Sequence, residues 1–392
     1  MSHNDLTFPD VVLRLTIPGG AELLLAFLRA YFEPFFRFED SDPAVSPRWV
    51  VRVHIGAPPR SVPAESARID IDRSGGFLRC EGRFVDCDRG RLVMLSPFDV
   101  TTYIDRETLA VDLWGSSAAS LRIPTLRVLE ELATHELERD GAVYVHASAV
   151  VAQGRAVLIC GNKKAGKTSG LCKLLRAFET EKMANDNCVI RACNGEAIAR
   201  GWPGFFKIDL GSVALYPELG RDFPPSERAL LSDSDALWKV YDKVPLYPRQ
   251  GAERFGASMD VEAPVAAVIF PRFDATRAPG LSRISIDDVR GSFPGYVQGS
   301  RHPNHPDWLN LGAPSEPEVR AHIATVLSAL GNAELFELRW GPSYEDLLSR
   351  VPALRSAHRG VRACMMDSAA DEAWPPLPIA EMPHLFKKSD AT

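Results

Sequence analysis

No cysteine pair in this chain has the C-x-x-C spacing of a redox or zinc motif, and no Cys/His set has the paired spacing of a zinc site. The seven cysteines, an odd number, scatter from Cys80 to Cys364, so a disulfide framework is not expected. Cys160, Cys172 and Cys188 fall in apolar stretches, where a thiol behaves as a small hydrophobe, and reduced structural cysteines are the expectation. Long apolar runs are missing as well. The segment Leu23–Leu28 is among the longest, far short of the ~20 residues of a membrane span, and residues 1–20 lack a signal-peptide h-region. A cytoplasmic protein with no membrane partner is therefore expected. Basic excess is absent too: a net charge of -6 and a pI of about 5.9 argue against nucleic acid as the main partner. There is no internal repeat and no low-complexity tract. His302 and His305 form the one local histidine pair, but prolines interrupt RHPNHPDW, which reads as a solvated loop rather than a metal site.

What is present is an ordinary globular composition, 45% hydrophobic and 24% charged over 392 residues, enough for two or three domains of ~150 residues each. Its most informative stretch runs from Ala156 to Phe178. Ala156 to Cys160 reads as a buried strand, and Gly161 to Thr168 (GNKKAGKT) matches G-x-x-x-x-G-K-[ST] at every fixed position. Leu171, Leu174, Leu175 and Phe178 then recur at i, i+3, i+4 and i+7, one face of a helix. Strand, glycine loop and helix in that order form a nucleotide-binding site from Gly161, Asn162, Lys163, Lys164, Ala165, Gly166, Lys167, Thr168 and Ser169. Backbone N–H groups and the helix start face the phosphates, Lys167 reaches the β/γ-phosphates and the Thr168 hydroxyl sits on Mg²⁺. The plainer alternative is a glycine loop with solvated lysines.

Residues 1–130 are expected to form an α+β domain for substrate or partner binding. Residues 11–17 and Trp49–Ile55 read as strands around a helix that closes near Pro34, and short alternating runs from Ala67 to Trp114 read as an antiparallel sheet. A helix over Thr125–Arg139 marks the boundary to a second domain at 131–366, and 367–392 reads as a poorly ordered tail. His146 interrupts the apolar run Ala142–Val151, where a histidine serves either as a satisfied core residue or in chemistry. Thr180–Ile190 reads as a short strand carrying Asn185, Asp186 and Asn187. Its carboxylate suits Mg²⁺ binding or proton acceptance, whereas N-D-N by itself suits a turn. Arg200 and Lys207 are candidate phosphate or substrate contacts. The polar, proline-rich stretch 221–256, with Lys239 and Lys243, reads as a substrate-facing excursion. Val261–Phe273 is a core strand, 276–314 is loop-rich, and a helix over Glu316–Leu330 precedes a last strand and a last helix in which Ser343 and Asp346 have capping-box-like spacing.

Taken together, VHASAV around His146, then GNKKAGKT, then MANDNCVI around Asp186, resemble the HPr kinase/phosphorylase family and its relatives in peptide-tailoring gene clusters. The likeness covers mainly residues 142–215. It implies an α/β fold with a P-loop core of the phosphoenolpyruvate-carboxykinase-like/HPr kinase type, and transfer of the γ-phosphate of ATP to a hydroxyl. The acceptor implied is a Ser/Thr of a peptide or protein, or a small amino-acid- or sugar-like molecule. Carried onto this chain, Lys167, Asp186 and His146 become catalytic: Asp186 is the base for the acceptor hydroxyl and His146 its neighbour. Thr168 and Asp186, assisted by Asn185, hold Mg²⁺. The chain departs from the family in having Asn185 for the first Asp of an Asp-Asp pair, and Asn162-Lys163-Lys164 for small residues. The substitution of Asn185 keeps a second reading open, a nucleotide-binding regulatory or scaffold module with weak phosphotransfer or none. A third reading, nucleotide-dependent activation of a carboxylate, would differ in its products. Homo-oligomerisation is compatible with each.

Overall fold

The structure, a computed structural model, describes residues 2–8, 11–71, 80–222, 243–274, 277–302, 306–340, 345–357 and 375. They form a mixed α/β chain with two large sheets, divided into two compact units. One holds the described residues up to Asp140 together with those of Gly299–Ser315 and Pro375, the other those of Gly141–Gln298 together with those from Glu316 to Ala357. The tail expected at 367–392, apart from Pro375, lies outside the described residues, as do Lys239, Ser343 and Cys364.

In the first unit, β1 (Ser2–Phe8), β2 (Val11–Ile17), β3 (Arg37–Asp40), β4 (Trp49–Ile55), β5 (Ala67–Ile71), β6 (Cys80–Cys87), β7 (Gly90–Leu95), β8 (Val100–Asp105) and β9 (Ala110–Gly115) form one sheet, in the order β3-β1-β2-β4-β9-β8-β7-β6-β5. From β5 to β9 it is the predicted antiparallel meander, but β4 runs parallel to both β2 and β9, so the sheet is mixed. A parallel pair needs a crossover, and α1 (Glu22–Phe32) supplies it between β2 and β4. The following helix, α2 (Ala118–Arg139), begins well before the predicted Thr125. Ser117 caps it, its hydroxyl accepting the Ser120 N–H at 3.1 Å, and Pro124 lies inside it. Two of its buried carboxylates are bonded across to the sheet and α1: Tyr31 donates to Glu130 at 2.7 Å and the Trp49 indole to Glu136 at 2.9 Å.

The second unit is built on β10 (Val143–Val145), β11 (Ala147–Ala152), β12 (Arg155–Cys160), β13 (Glu181–Ala184), β14 (Cys188–Cys193), β15 (Glu196–Gly201), β18 (Glu262–Phe273), β19 (Gly280–Ile284) and β20 (Glu334–Trp340), while β16 (Phe206–Ile208) and β17 (Val244–Leu246) pair as a separate antiparallel ribbon. The order is β10-β14-β15-β18-β12-β11-β13, with β20 beside β18 and β19 beside β20. β12, β18 and β20 are parallel, whereas β11 is antiparallel to β12 and to β13. Alternation along β12 sorts its residues to two cores. Val157 and Ile159 pack with α3 (Lys167–Ala177), while Ala156, Leu158 and Cys160 pack with the helix Glu316–Leu330. Gly170 lets α3 lie close, since a Cβ there would come within 2.7 Å of Ile159 Cδ1. The loop-rich stretch expected at 276–314 contains β19 and a helix at Ile286–Arg290, the latter capped by Ser285.

Candidate functional site

Antiparallel pairing of β11 with both of its neighbours decides where the chemistry-bearing residues meet. Ala147, at the start of β11, pairs with Cys160 at the end of β12, and Ala149 pairs with Ala184 at the end of β13. The residue before β11, the loop after β12 and the bend after β13 therefore share one sheet edge. Those are His146, Gly161–Gly166 and Asn185–Asn187.

His146 stands at the break between β10 and β11 and is held through its backbone from two sides. Its carbonyl accepts the Gly161 N–H at 3.3 Å, and its own N–H donates to the Tyr296 carbonyl at 2.8 Å. Its ring Nε2 lies 3.0 Å from Asp186 Oδ1. One residue thus fixes the first position of the loop with its backbone and the carboxylate with its side chain. The predicted strand through Thr180–Ile190 is in fact two, because β13 pairs with β11 and β14 with β10; Asn185–Asn187 form the bend where the chain changes partners.

Asp186 keeps 44% of its side-chain surface open to solvent. Burial pushes its carboxyl up, but the hydrogen bond and charge of His146, joined by the charges of Lys207 and Lys167, outweigh it and hold the group well below the usual carboxylate range. It is an ionised carboxylate at neutral pH.

Lys167 opens α3 and is only 6% exposed. Its ammonium donates to the Gly161 carbonyl at 3.0 Å and the Asn162 carbonyl at 3.1 Å, which leaves one of its three donors for another acceptor. Burial lowers its pKa, and the nearby Asp186 opposes that. Gly166, at the N-cap of α3, has φ +99° and provides no side-chain cap. The first-turn N–H groups of Lys167, Thr168 and Ser169 consequently lack intrahelical acceptors, and the positive end of the helix dipole faces the loop. An anion with several oxygens fits these donors.

Lys163 and Lys164 are exposed, and Lys164 holds φ +70°, a left-handed conformation that a lysine rarely adopts. Lys164→Gly is expected to raise stability by about 0.5–1 kcal/mol in chemical denaturation; a loss would mean that the lysine side chain anchors the loop. Asn185 is 7% exposed, and its amide donates to the Phe205 carbonyl at 3.0 Å while its own carbonyl accepts from the Ser148 hydroxyl. Arg200 sits opposite Glu262 in the β15–β18 pairing and forms an ion pair with it at 3.1 Å. Lys207, by contrast, is close enough to Asp186 to affect its ionisation.

No family model matches the chain, and no curated protein does. Among solved structures it is similar to the HPr(Ser) kinase/phosphatase from Coxiella burnetii. The match has 12% identity and a TM-score of 0.23, over 53% of this chain and 87% of that one, a likeness that establishes neither fold nor activity. Among the described residues no helix is long and apolar enough to cross a membrane, and no cluster of three or more His, Cys, Asp or Glu side chains could hold a metal ion.

Residues that sequence reasoning left unassigned also belong here. Ser148 secures the bend through Asn185, and Tyr296 secures His146. Lys243, read only as part of a polar excursion, lies 3.9 Å from Asp209 and close enough to Lys167 to disfavour its protonation. The signal available for it was the short apolar run Val244–Leu246, which forms β17.

Proposed function

We propose that this protein is a Mg²⁺- and ATP-dependent phosphotransferase with a hydroxyl acceptor. Its second unit would be a P-loop core of the phosphoenolpyruvate-carboxykinase-like/HPr kinase type. The observation that carries the reading is a buried lysine, satisfied only by two backbone carbonyls, at an uncapped helix start on the same sheet edge as the His146–Asp186 pair. An unfilled donor on a buried cation suits a phosphate oxygen.

In this reading the residues from Gly161 to Ser169 hold the nucleotide, with Lys167 on its phosphates. Thr168 and Asp186 would hold Mg²⁺ together with phosphate oxygens; when bound, the ion neutralises charge on those oxygens. Asn185, whose amide nitrogen is held by Phe205, would add at most its side-chain oxygen. Asp186 orients the acceptor hydroxyl and takes its proton. The acceptor oxygen forms a bond to the γ-phosphorus, the bond from that phosphorus to the β–γ bridging oxygen breaks, and the electron pair leaves with ADP. His146 keeps the carboxylate ionised and aimed. Positioning and charge supply the rate, as phosphoryl transfer requires.

The buried amide of Asn185, in the place of a second carboxylate, favours the second reading, a nucleotide-binding regulatory module. Both readings expect Lys167→Met to weaken binding of MgATP, measured by calorimetry, by at least tenfold. Unchanged affinity would remove the loop as the nucleotide site. Incubation with γ-labelled ATP and an extract of the native organism separates the two: label in an acceptor supports the transferase, and tight binding without a labelled product supports the module. Release of ADP or AMP with a transient acyl phosphate would point to carboxylate activation instead.

A further inference from the structure

Asp186 sits between two residues that are tied down. β14 and β15 pair as far as Cys188 opposite Gly201, and the ladder runs one step further, with the Trp202 N–H donating to the Asn187 carbonyl at 3.2 Å. Pro203 has no N–H and cannot extend it. Beyond the proline the connection passes to a side chain, for the Asn185 amide donates to the Phe205 carbonyl at 3.0 Å. A carbonyl only accepts, so the amide nitrogen is the atom that must face it. Asn185 is held from a second direction as well, its backbone carbonyl accepting from the buried Ser148 hydroxyl of β11.

The segment that receives the amide is itself anchored. Trp202 is buried and meets the Tyr144 ring edge to face, with centroids 5.3 Å apart; Phe205 is buried with the Tyr247 ring centroid 5.8 Å away. The Phe205 carbonyl is therefore a fixed acceptor, and Asn185 meets it away from water. A carboxylate has almost the same shape as the amide but, when ionised, no hydrogen to give. At this position it would set acceptor against acceptor in a buried place, where an unmade hydrogen bond leaves the full desolvation cost. The fold around residue 185 thus selects an amide.

Resting on the phosphotransferase reading, we infer that Asn185 is a positioning residue: its amide fastens the bend to Trp202–Phe205 and so aims Asp186 at His146 and at the acceptor hydroxyl. The donor nitrogen is the working group, and Asn185 is not a carboxylate lost from a metal site. Restoring a carboxylate there therefore loosens the site and does not improve its hold on Mg²⁺.

The test compares the full chain with Asn185→Asp, which keeps the shape, and Asn185→Ala, which removes the donor without adding charge. Free of nucleotide and Mg²⁺, both variants are expected to melt about 3 °C or more below the unmodified protein. In the same samples the ¹⁵N spectrum of the His146 ring, assigned by its absence from the His146→Ala protein, reads the aim of Asp186: the resonance of an Nε2–H bonded to a carboxylate is present in the unmodified chain and lost in both variants. By calorimetry Asn185→Asp binds MgATP no more tightly than the unmodified protein, and Asn185→Ala binds ATP without Mg²⁺ within about threefold of it. An aspartate variant that binds MgATP about threefold or more tightly makes Asn185 a depleted metal ligand and overturns the proposal. So does an unchanged melting temperature, or a lowered one with the His146 spectrum intact, which leaves a structural residue only. Asn185→Ala decides these points if the aspartate variant does not fold. Failure of MgATP to bind the unmodified protein overturns the phosphotransferase reading instead; the fastening of the bend is read without nucleotide and stands or falls by the His146 spectrum.

Discussion

Asp186→Asn is expected to lower ATP-dependent phosphoryl transfer by about two to four orders of magnitude while changing nucleotide affinity far less. The substitution keeps the size of the side chain and an oxygen that can face His146 Nε2, now 3.0 Å away, but removes the charge that accepts the hydroxyl proton. Single-turnover transfer from labelled ATP measures it. A variant that retains full transfer would dismiss Asp186 as the base and leave it a structural partner of His146. The histidine gives a second arm with a different signature. Its side chain makes the largest contribution against burial, so His146→Ala leaves only the charges of Lys207 and Lys167 opposing it and the Asp186 pKa moves up. A base is active when ionised. The native protein should therefore show no loss of activity attributable to Asp186 as pH falls from 8 toward 6, whereas the His146→Ala variant should begin to lose activity at a higher pH than the native protein does. The loop itself should remain in place, because Gly161 is held by the backbone of residue 146 and not by its ring. Identical pH profiles for the two proteins would show that His146 does not tune the carboxylate.

Much of this site was legible because each element has a local signature. The match from Gly161 to Thr168, the apolar strand before it and the helical spacing after it are all short-range patterns, and β12, the loop and α3 follow them. The approach of His146 to Asp186 was suggested only by resemblance. Periodicity is blind to it, since it depends on β11 lying antiparallel between β12 and β13, a pairing over some forty residues of chain. Asn185–Asn187 show the same limit from the other side. Turn propensity and strand position were both defensible for N-D-N, and the outcome was set by two strands with different partners. In the first unit, alternation read correctly as strands but said nothing of direction; the parallel placement of β4 depends on α1 as a crossover. Lys243 was hidden because a lysine in a polar stretch looks solvated until β17 pairs with β16 and brings it opposite Asp209.

A larger effect on stability is expected from a lysine that no motif marks. Lys182 lies within β13, is 0% exposed, and donates to the Pro248 carbonyl at 3.0 Å, with the Phe206 ring centroid 5.7 Å from its ammonium. Burial pulls its pKa from 10.5 down to about 7, opposed only by Cys172. The unfolded chain keeps the ordinary value. Between those two values the unfolded state binds more protons, so this group makes the fold more stable as pH rises from about 7 toward 10.5 and imposes its full penalty below about 7. A gap of that size corresponds to a ceiling of about 5 kcal/mol. Lys182→Met removes the penalty, fills similar volume and leaves the Pro248 carbonyl without its donor, a loss of about 1 kcal/mol or somewhat more. The variant should therefore be more stable by about 2–4 kcal/mol at pH 7, and the advantage should shrink or reverse near pH 10.5. Buried thiols complicate the absolute curves, since Cys80 and Cys160 are pushed up to about 12 and lose stability as the unfolded thiols ionise. That slope is common to both proteins, so the difference between their denaturation midpoints at each pH is the readout. An advantage that does not change with pH would mean that Lys182 titrates normally, and no advantage at pH 7 would mean that its bond to Pro248 outweighs its burial. Either result bears on the site, because that bond ties β13, which delivers Asp186, to the helix Pro248–Glu253 that follows β17. If the stable Lys182→Met protein transfers phosphate more slowly, the buried lysine holds β13 in register for the site, and that positioning accounts for a buried charge that costs stability.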